Sequence, residues 1–118
     1  MQYLLMIYTE EAQESRRSDA ENQAMMGDYM AFTRSIIESG HRLGGERLRP
    51  TAEAKTVRVR DGKVMTTDGP FAETREQLGG FYLVEAKDIE EATALAARIP
   101  GAKHGSIEVR AIWPVPRP

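Results

Sequence analysis

The sequence predicts an α+β domain with a ferredoxin-like antiparallel sheet, and the order of its apolar segments carries this prediction. Extended and helical patterns follow one another as strand, helix, strand, hairpin, strand, helix, strand, which amounts to two βαβ-like halves with an inserted hairpin. A chain of 118 residues is long enough for one hydrophobic core and too short for two. We therefore expect a single domain over residues 1–118.

The N-terminal half begins with the first predicted strand and helix. Residues 2–8 are apolar on both alternating faces, which is typical of a central strand covered on both sides. Residues 9–17 are polar and lack periodicity, so we interpret them as a connection. Ser18 and Glu21 match a capping box, which predicts a helix start, and Gly40 predicts its end.

The first helix carries a broad apolar stripe that is rich in methionine. Its members recur at spacings of three and four residues: Met25, Met26, Tyr29, Met30, Phe32, Thr33, Ile36 and Ile37. Methionine can form an adaptable binding groove, and it also fills irregular gaps in cores. We interpret the stripe as core, because a helix in so small a domain must cover the sheet.

The middle of the chain predicts a short strand followed by a hairpin. Residues 43–48 form the strand, and its paired glycines, Gly44 and Gly45, allow a bulge or a close backbone approach. Asp61-Gly62 is a preferred type I′ turn between two extended runs. Counting from this turn places the valines on one side and Arg58 with Met65 on the other, so the basic side faces solvent or a site.

The C-terminal half repeats the strand, helix, strand pattern. Residues 81–84 predict a central strand, and residues 87–91 form a second capping pattern. The helix that follows has one apolar face, and residues 107–113 alternate as a last strand with one buried face. The predicted helical face consists of Ile89, Ala92, Leu95, Ala96 and Ile99.

A ferredoxin-like sheet carries its helices on one face only, which leaves the other face in need of cover. In the first strand, the side chains on that face are Tyr3 and Leu5 or their alternates. A second copy of the chain would supply the cover, so we expect a homodimer paired face to face.

Composition excludes several classes of function. The chain has no cysteine, which excludes disulfides, thiolate zinc sites and cysteine nucleophiles and makes a reducing cytoplasm the expected location. Its basic and acidic residues are interspersed at a net charge of -2, so we expect no direct nucleic-acid partner. We expect neither export nor membrane insertion, because no apolar run approaches the roughly 20 residues of a span. No histidine spacing or phosphate-loop motif is present, so we expect no metal and no cofactor.

Residues 68–81, which read DGPFAETREQLGGF, carry a resemblance to a known family. Together with residues 5–8, 56–63 and 96–110, they resemble the DGPF-motif group of the YCII-related proteins. The resemblance covers nearly the whole chain and implies a dimeric α+β barrel of ferredoxin-like subunits. It also implies that some members are encoded beside, or fused to, sigma-factor-type transcription regulators. An enzymatic role in the wider family rests on a histidine and aspartate pair, and neither His41 nor His104 lies in a motif that matches it.

The same segment supplies the candidate site residues. Asp68 is the candidate catalytic acid or base, and in the alternative interpretation its carboxylate only caps a turn. His41 is a second catalytic candidate, and in its alternative role it complements the end of the first helix. The candidate substrate-binding residues are Arg58, Glu73, Arg75, Gly79 and Gly80.

Three hypotheses of function remain open from the sequence, and they leave undecided whether the protein is an enzyme. The first is a dimer with a small-molecule cleft at the 68–80 loop, acting as a lyase, hydrolase or isomerase through Asp68. The second is a non-catalytic ligand-binding or regulatory module with a regulatory protein partner, linked to a sigma-factor-type regulator. The third is an assembly scaffold without a polar cleft.

Overall fold

The computed structural model describes all residues, Met1–Pro118. Two short 3-10 turns, Thr51–Glu53 and Pro100–Lys103, accompany nine regular elements. In chain order the elements are β1 (Gln2–Thr9), α1 (Glu11–Glu14), α2 (Asp19–Glu38), β2 (Arg42–Arg47), β3 (Lys55–Arg60), β4 (Lys63–Asp68), β5 (Gln77–Glu85), α3 (Ile89–Ala97) and β6 (Ser106–Ala111).

The main sheet has four antiparallel strands in the order β2-β5-β1-β6. The two halves interleave, so β1 and β5 are central, as their apolar sequences predicted. With α2 and α3 packed on the sheet, this is the predicted ferredoxin-like α+β fold. Strand β2 has a register shift between Arg42 and Gly44, so the bulge that was one of the two expectations for the glycine pair is present just before that pair.

The hydrophobic core lies between one face of the sheet and the two helices. Leu5, Ile36, Val84 and Ile99 are its largest fully buried side chains. The alternate residues of the central strands, among them Leu4, Met6, Phe81 and Leu83, face the opposite side and are only half-buried. No helix covers this second face, which we call the open sheet face. Within one chain, β1 is therefore covered on one side only.

Local capping fixes both ends of α2. The Ser18 side chain accepts a hydrogen bond from the Glu21 backbone, and the Glu21 carboxylate accepts one from the Ser18 backbone, so the predicted capping box is present. The bond from the Ser18 backbone, together with a smaller contribution from the Ser18 side chain, holds the pKa of the Glu21 carboxylate below its usual value. Gly40 follows the helix at a φ of +79°, which favours glycine. The polar connection before α2 contains the four-residue helix α1, which is too short to show periodicity.

Strands β3 and β4 form a separate two-stranded sheet, residues 55–68, which we call the arm. Its register confirms the count from Asp61-Gly62: Arg60 pairs with Lys63, Val59 with Val64 and Val57 with Thr66. All three valines are at least 59% exposed. The radius of gyration of 16.4 Å exceeds the roughly 13.5 Å expected for a compact chain of this length, because the arm projects from the body.

Two further features differ from the sequence-based expectation. Trp113 lies beyond the end of β6 and is 90% exposed, since pairing with β1 stops at Ala111. Strand β5 begins at Gln77, because residues 77–80 pair with the end of β1 and with β2. Among the helices, none combines the length and the apolar character needed to cross a bilayer.

Candidate functional site

A cavity of about 1060 Å³ lies between α2 and the face of the sheet that carries the core. Its walls come from most of the length of α2, from α1, from the turn before the arm, and from β1, β2 and β5. Among the side chains of these walls are Thr9, Glu11, Glu14, Arg17, Met25, Met26, Tyr29, Met30, Thr33, Arg34, Arg42, Arg47, Thr51 and Tyr82. Apolar walls with a few converging polar groups are typical of small-molecule sites.

Two neighbouring rows of side chains in the α2 stripe have different surroundings. Phe32 and Ile36 belong to the row that is buried against the sheet, with the Phe32 ring edge-on to Tyr82 at a centroid distance of 5.2 Å. In the adjacent row, Met26 and Met30 are 46% and 56% exposed and line the cavity, as does the rest of that row. The interpretation of the methionine stripe as core is therefore wrong for Met26 and Met30, since their row faces an open space.

Two glycines bring the strands below the cavity close together. A Cβ atom on Gly45 would lie 2.9 Å from the Phe81 carbonyl oxygen, and one on Gly80 would lie 2.8 Å from the Glu46 carbonyl oxygen. Both distances are too short for any residue with a side chain. Gly80, a predicted site residue, therefore lets β2 approach β5 closely below the cavity, and Gly79 lines the cavity beside it.

A cluster of polar side chains lies at one end of the cavity, around Tyr29. The Thr9 hydroxyl donates a hydrogen bond to the Glu14 carboxylate. The backbone of Gly101 hydrogen-bonds the Tyr29 hydroxyl, and a Cβ at Gly101 would lie 2.5 Å from that oxygen. Burial raises the pKa of Tyr29, and the Gly101 bond offsets part of the increase. Tyr29 is thus a protonated donor at neutral pH, with a carboxylate in the same cluster.

The raised pKa of Tyr29 can be tested by comparing the titration of the wild type with that of a variant that lacks the hydroxyl. We expect the phenolate absorbance of the wild type minus that of Tyr29→Phe to titrate with a midpoint above the usual value of about 10. Because the unfolded chain releases this proton first, the contribution of Tyr29 to stability is full below the unfolded pKa and falls as pH rises towards the folded one. A difference curve with its midpoint at or below the usual value would contradict the burial of the hydroxyl.

Two other contacts shape the cavity wall. The hydroxyls of Thr33 and Tyr82 are 2.7 Å apart and join α2 to β5. The Glu11 carboxylate accepts a 3.0 Å hydrogen bond from the Thr51 backbone and another from the Thr51 hydroxyl. These bonds tie α1 to the turn that leads into the arm, so they close the cavity at the β2 edge.

Comparison with known proteins places this chain in a family. The family model of the YCII-related domain matches residues 1–116. The chain belongs to the YCII-related family. It is also 39% identical over 112 residues to an uncharacterised protein of Rhizobium meliloti strain 1021, R00369, covering 93% of this chain and 90% of that protein. Membership of the DGPF-motif group stays a prediction.

In this YCII-related chain, Asp68 is the last residue of β4 and lies on the arm. Its side chain is 88% exposed, and its Oδ1 is 3.3 Å from Nζ of Lys55. The segment that follows forms a loop over residues 69–76, because Gly79 and Gly80 belong to β5. The predicted 68–80 loop is thus shorter than expected, and Asp68 is absent from the cavity wall.

The other predicted site residues are dispersed. Arg58 is exposed on the arm, and Glu73 is exposed in the loop. Arg75 is 87% exposed, with its Nε 3.5 Å from a Glu10 carboxylate oxygen. His41 lies beside the end of α2, where its Nδ1 is 2.6 Å from the Ser39 hydroxyl and its Nε2 is 3.3 Å from Glu91. Of the predicted set, the structure brings only Gly79 and Gly80 to the cavity.

Sequence reasoning missed the residues that line the cavity of this YCII-related protein. The methionine stripe was the available signal, since Met25, Met26 and Met30 line the cavity and an adaptable groove was one of the two interpretations of the stripe. No signal singled out Glu14 or Arg42. Nowhere in the chain do three or more His, Cys, Asp or Glu side chains come together as a metal site would require.

Proposed function

We propose that this YCII-related protein binds a small, largely apolar organic molecule in the cavity between α2 and the sheet. The observation that carries the proposal is a cavity of about 1060 Å³ whose wall combines methionines with hydroxyl, carboxylate and guanidinium groups. This volume lies at the upper end of the range for small-molecule sites. Flexible methionine side chains suit a site that adjusts to the shape of its ligand.

The polar cluster around Tyr29 gives the site a capacity for proton transfer. A phenol with a raised pKa stays protonated at neutral pH and can donate a proton or a hydrogen bond to a ligand oxygen. The Glu14 carboxylate in the same cluster can accept a proton. Isomerases, lyases and hydrolases all use such a pair, so the cavity supports these reaction classes with Tyr29 and Glu14 as the acid and base.

Methyl NMR of methionine tests where the ligand binds. We expect phenylnaphthylamine, a neutral apolar probe, to shift the methyl signals of Met25, Met26 and Met30, which line the cavity. Met65 on the arm and Met6 on the open sheet face lie outside the cavity and are internal controls, whose signals should stay in place. Shifts confined to the controls, or no shifts at all, would rule out the cavity as the binding site.

The catalytic role of Asp68 is a separate proposal with weaker geometric support. Its exposed carboxylate has a lysine as its partner and lies outside the cavity wall of its own chain. Within one chain, Asp68 therefore has a titratable neighbour, Lys55, but lacks the concave surface that acid-base catalysis needs.

The second candidate function is a regulatory module with a protein partner, and the arm is the observation that favours it. An isolated two-stranded hairpin is marginally stable in water, and this one exposes a continuous valine face. Association with a sigma-factor-type regulator stays part of this candidate.

In either candidate function, the open sheet face supports a homodimer, because its row of half-buried apolar side chains has no cover within one chain.

A further inference from the structure

Four arginines, Arg17, Arg34, Arg42 and Arg47, line the proposed cavity, and none of them forms a salt bridge. Two carboxylates of the wall already accept hydrogen bonds from neighbouring threonines: that of Glu11 from Thr51 and that of Glu14 from Thr9. The remaining lining carboxylate is that of Glu46, which is exposed and pairs with Phe81 on the open side of the sheet. The cavity wall therefore carries four guanidinium groups against three carboxylates, and all four guanidinium groups lack a salt-bridge partner.

Arg42 is distinct among the four. Its Nε is buried, and it is the one buried side-chain nitrogen or oxygen in the chain without a hydrogen-bond partner. Native structures rarely leave such a group unsatisfied, because a buried donor without an acceptor costs free energy. Arg42 opens β2 opposite Val84, whose side chain is in the core, so the guanidinium belongs to the cavity side of the sheet.

We infer that the ligand of the cavity is an organic carboxylate, with Arg42 as the residue that anchors its charge. This inference rests on the proposed function, since it names the class of molecule that the cavity takes. The planar guanidinium offers two parallel donors that match a carboxylate. A single negative charge also costs less to bring into a half-apolar cavity than the two charges of a phosphate monoester. The apolar body of the molecule then lies against the methionines of α2.

A matched pair of fluorescent probes tests the inference. Anilinonaphthalene sulfonate and phenylnaphthylamine share the same aromatic body and differ only in the anionic group. We expect Arg42→Met to weaken binding of the sulfonate about tenfold or more and to leave binding of the neutral probe within about twofold. Arg16→Met is the control, because Arg16 is exposed, lies outside the cavity wall and carries the same charge.

Further measurements distinguish failure of this inference from failure of the proposed function. Arg42→Lys keeps the charge and removes the planar fork, so an intermediate loss of sulfonate binding is expected even if Arg42→Met folds poorly. Benzoate should displace the sulfonate probe from the wild type more effectively than either benzamide or phenyl phosphate. Equal effects of the Arg42 and Arg16 substitutions, or stronger displacement by phenyl phosphate, would overturn the inference while the proposed function stands. Failure of the neutral probe to bind the cavity would instead refute the proposed function itself.

Discussion

Gly105→Ala is expected to lower the stability of the protein by about 3 kcal/mol, which is a large part of the total for a domain of this size. A Cβ on Gly105 would lie 2.0 Å from the carbonyl oxygen of Tyr8 and 3.1 Å from the Cα of Thr9. Both contacts are with the backbone of β1, so no rotamer change relieves them. Either β1 or the turn before β6 must move, and the adjoining pair of Tyr8 with Ser106 would be lost.

Thermal and urea denaturation measure this effect, and Gly27→Ala is the matched control. Gly27 lies within α2, and a Cβ there would have no heavy atom within 4 Å. Alanine is the better helix former, so the control should raise stability by roughly 0.5–1 kcal/mol. If Gly105→Ala were as stable as the wild type, the close approach of the 105 turn to β1 would be refuted.

Leu83→Glu is expected to convert a homodimer into single chains. Leu83 is half-buried at the centre of the open sheet face, between Leu4 on β1 and Gly44 on β2. In a face-to-face dimer, four carboxylate oxygens from the two copies would be buried without partners near one axis, which costs several kcal/mol. In a single chain, the same glutamate faces water and leaves the core unchanged.

Light scattering during gel filtration gives the mass that decides this point. The wild type should have the mass of two chains, each of 13.2 kDa, and so should Val59→Glu, a control on the exposed valine face of the arm. Leu83→Glu should have the mass of one chain. Loss of the dimer in Val59→Glu alone would assign the pairing surface to the arm. A wild type with the mass of one chain would refute the homodimer.

Most of the fold could be predicted because its signals are local. The capping box at Ser18, the Asp61-Gly62 turn and the alternating strands each depend on residues that are close in sequence. The hairpin register followed from the turn alone, since both turn residues have positive φ, 50° for Asp61 and 73° for Gly62. The short helix α1 was missed because four residues do not establish a helical period.

The cavity was not predicted from the sequence, for a physical reason. The segment that begins at Asp68 is polar and has a distinctive sequence, yet it leads from an arm that projects away from the body. The cavity lies elsewhere, between Gly45 and Gly80 of the sheet and the row of α2 side chains that includes Met26 and Met30. Which row of a helix packs closely on a sheet depends on contacts between distant residues, which a local pattern does not encode.

The sequence by itself determined the family, the order of the elements, the central strands and the hairpin register, because periodicity and turn chemistry act over a few residues. Only the tertiary structure decided which row of the methionine stripe is buried and which row lines a cavity. It also decided that Tyr29, Glu14 and Arg42, far apart in the chain, share one wall. Burial and unpaired charge are properties of the packed chain, and the ligand and the chemistry that we propose for this site rest on them.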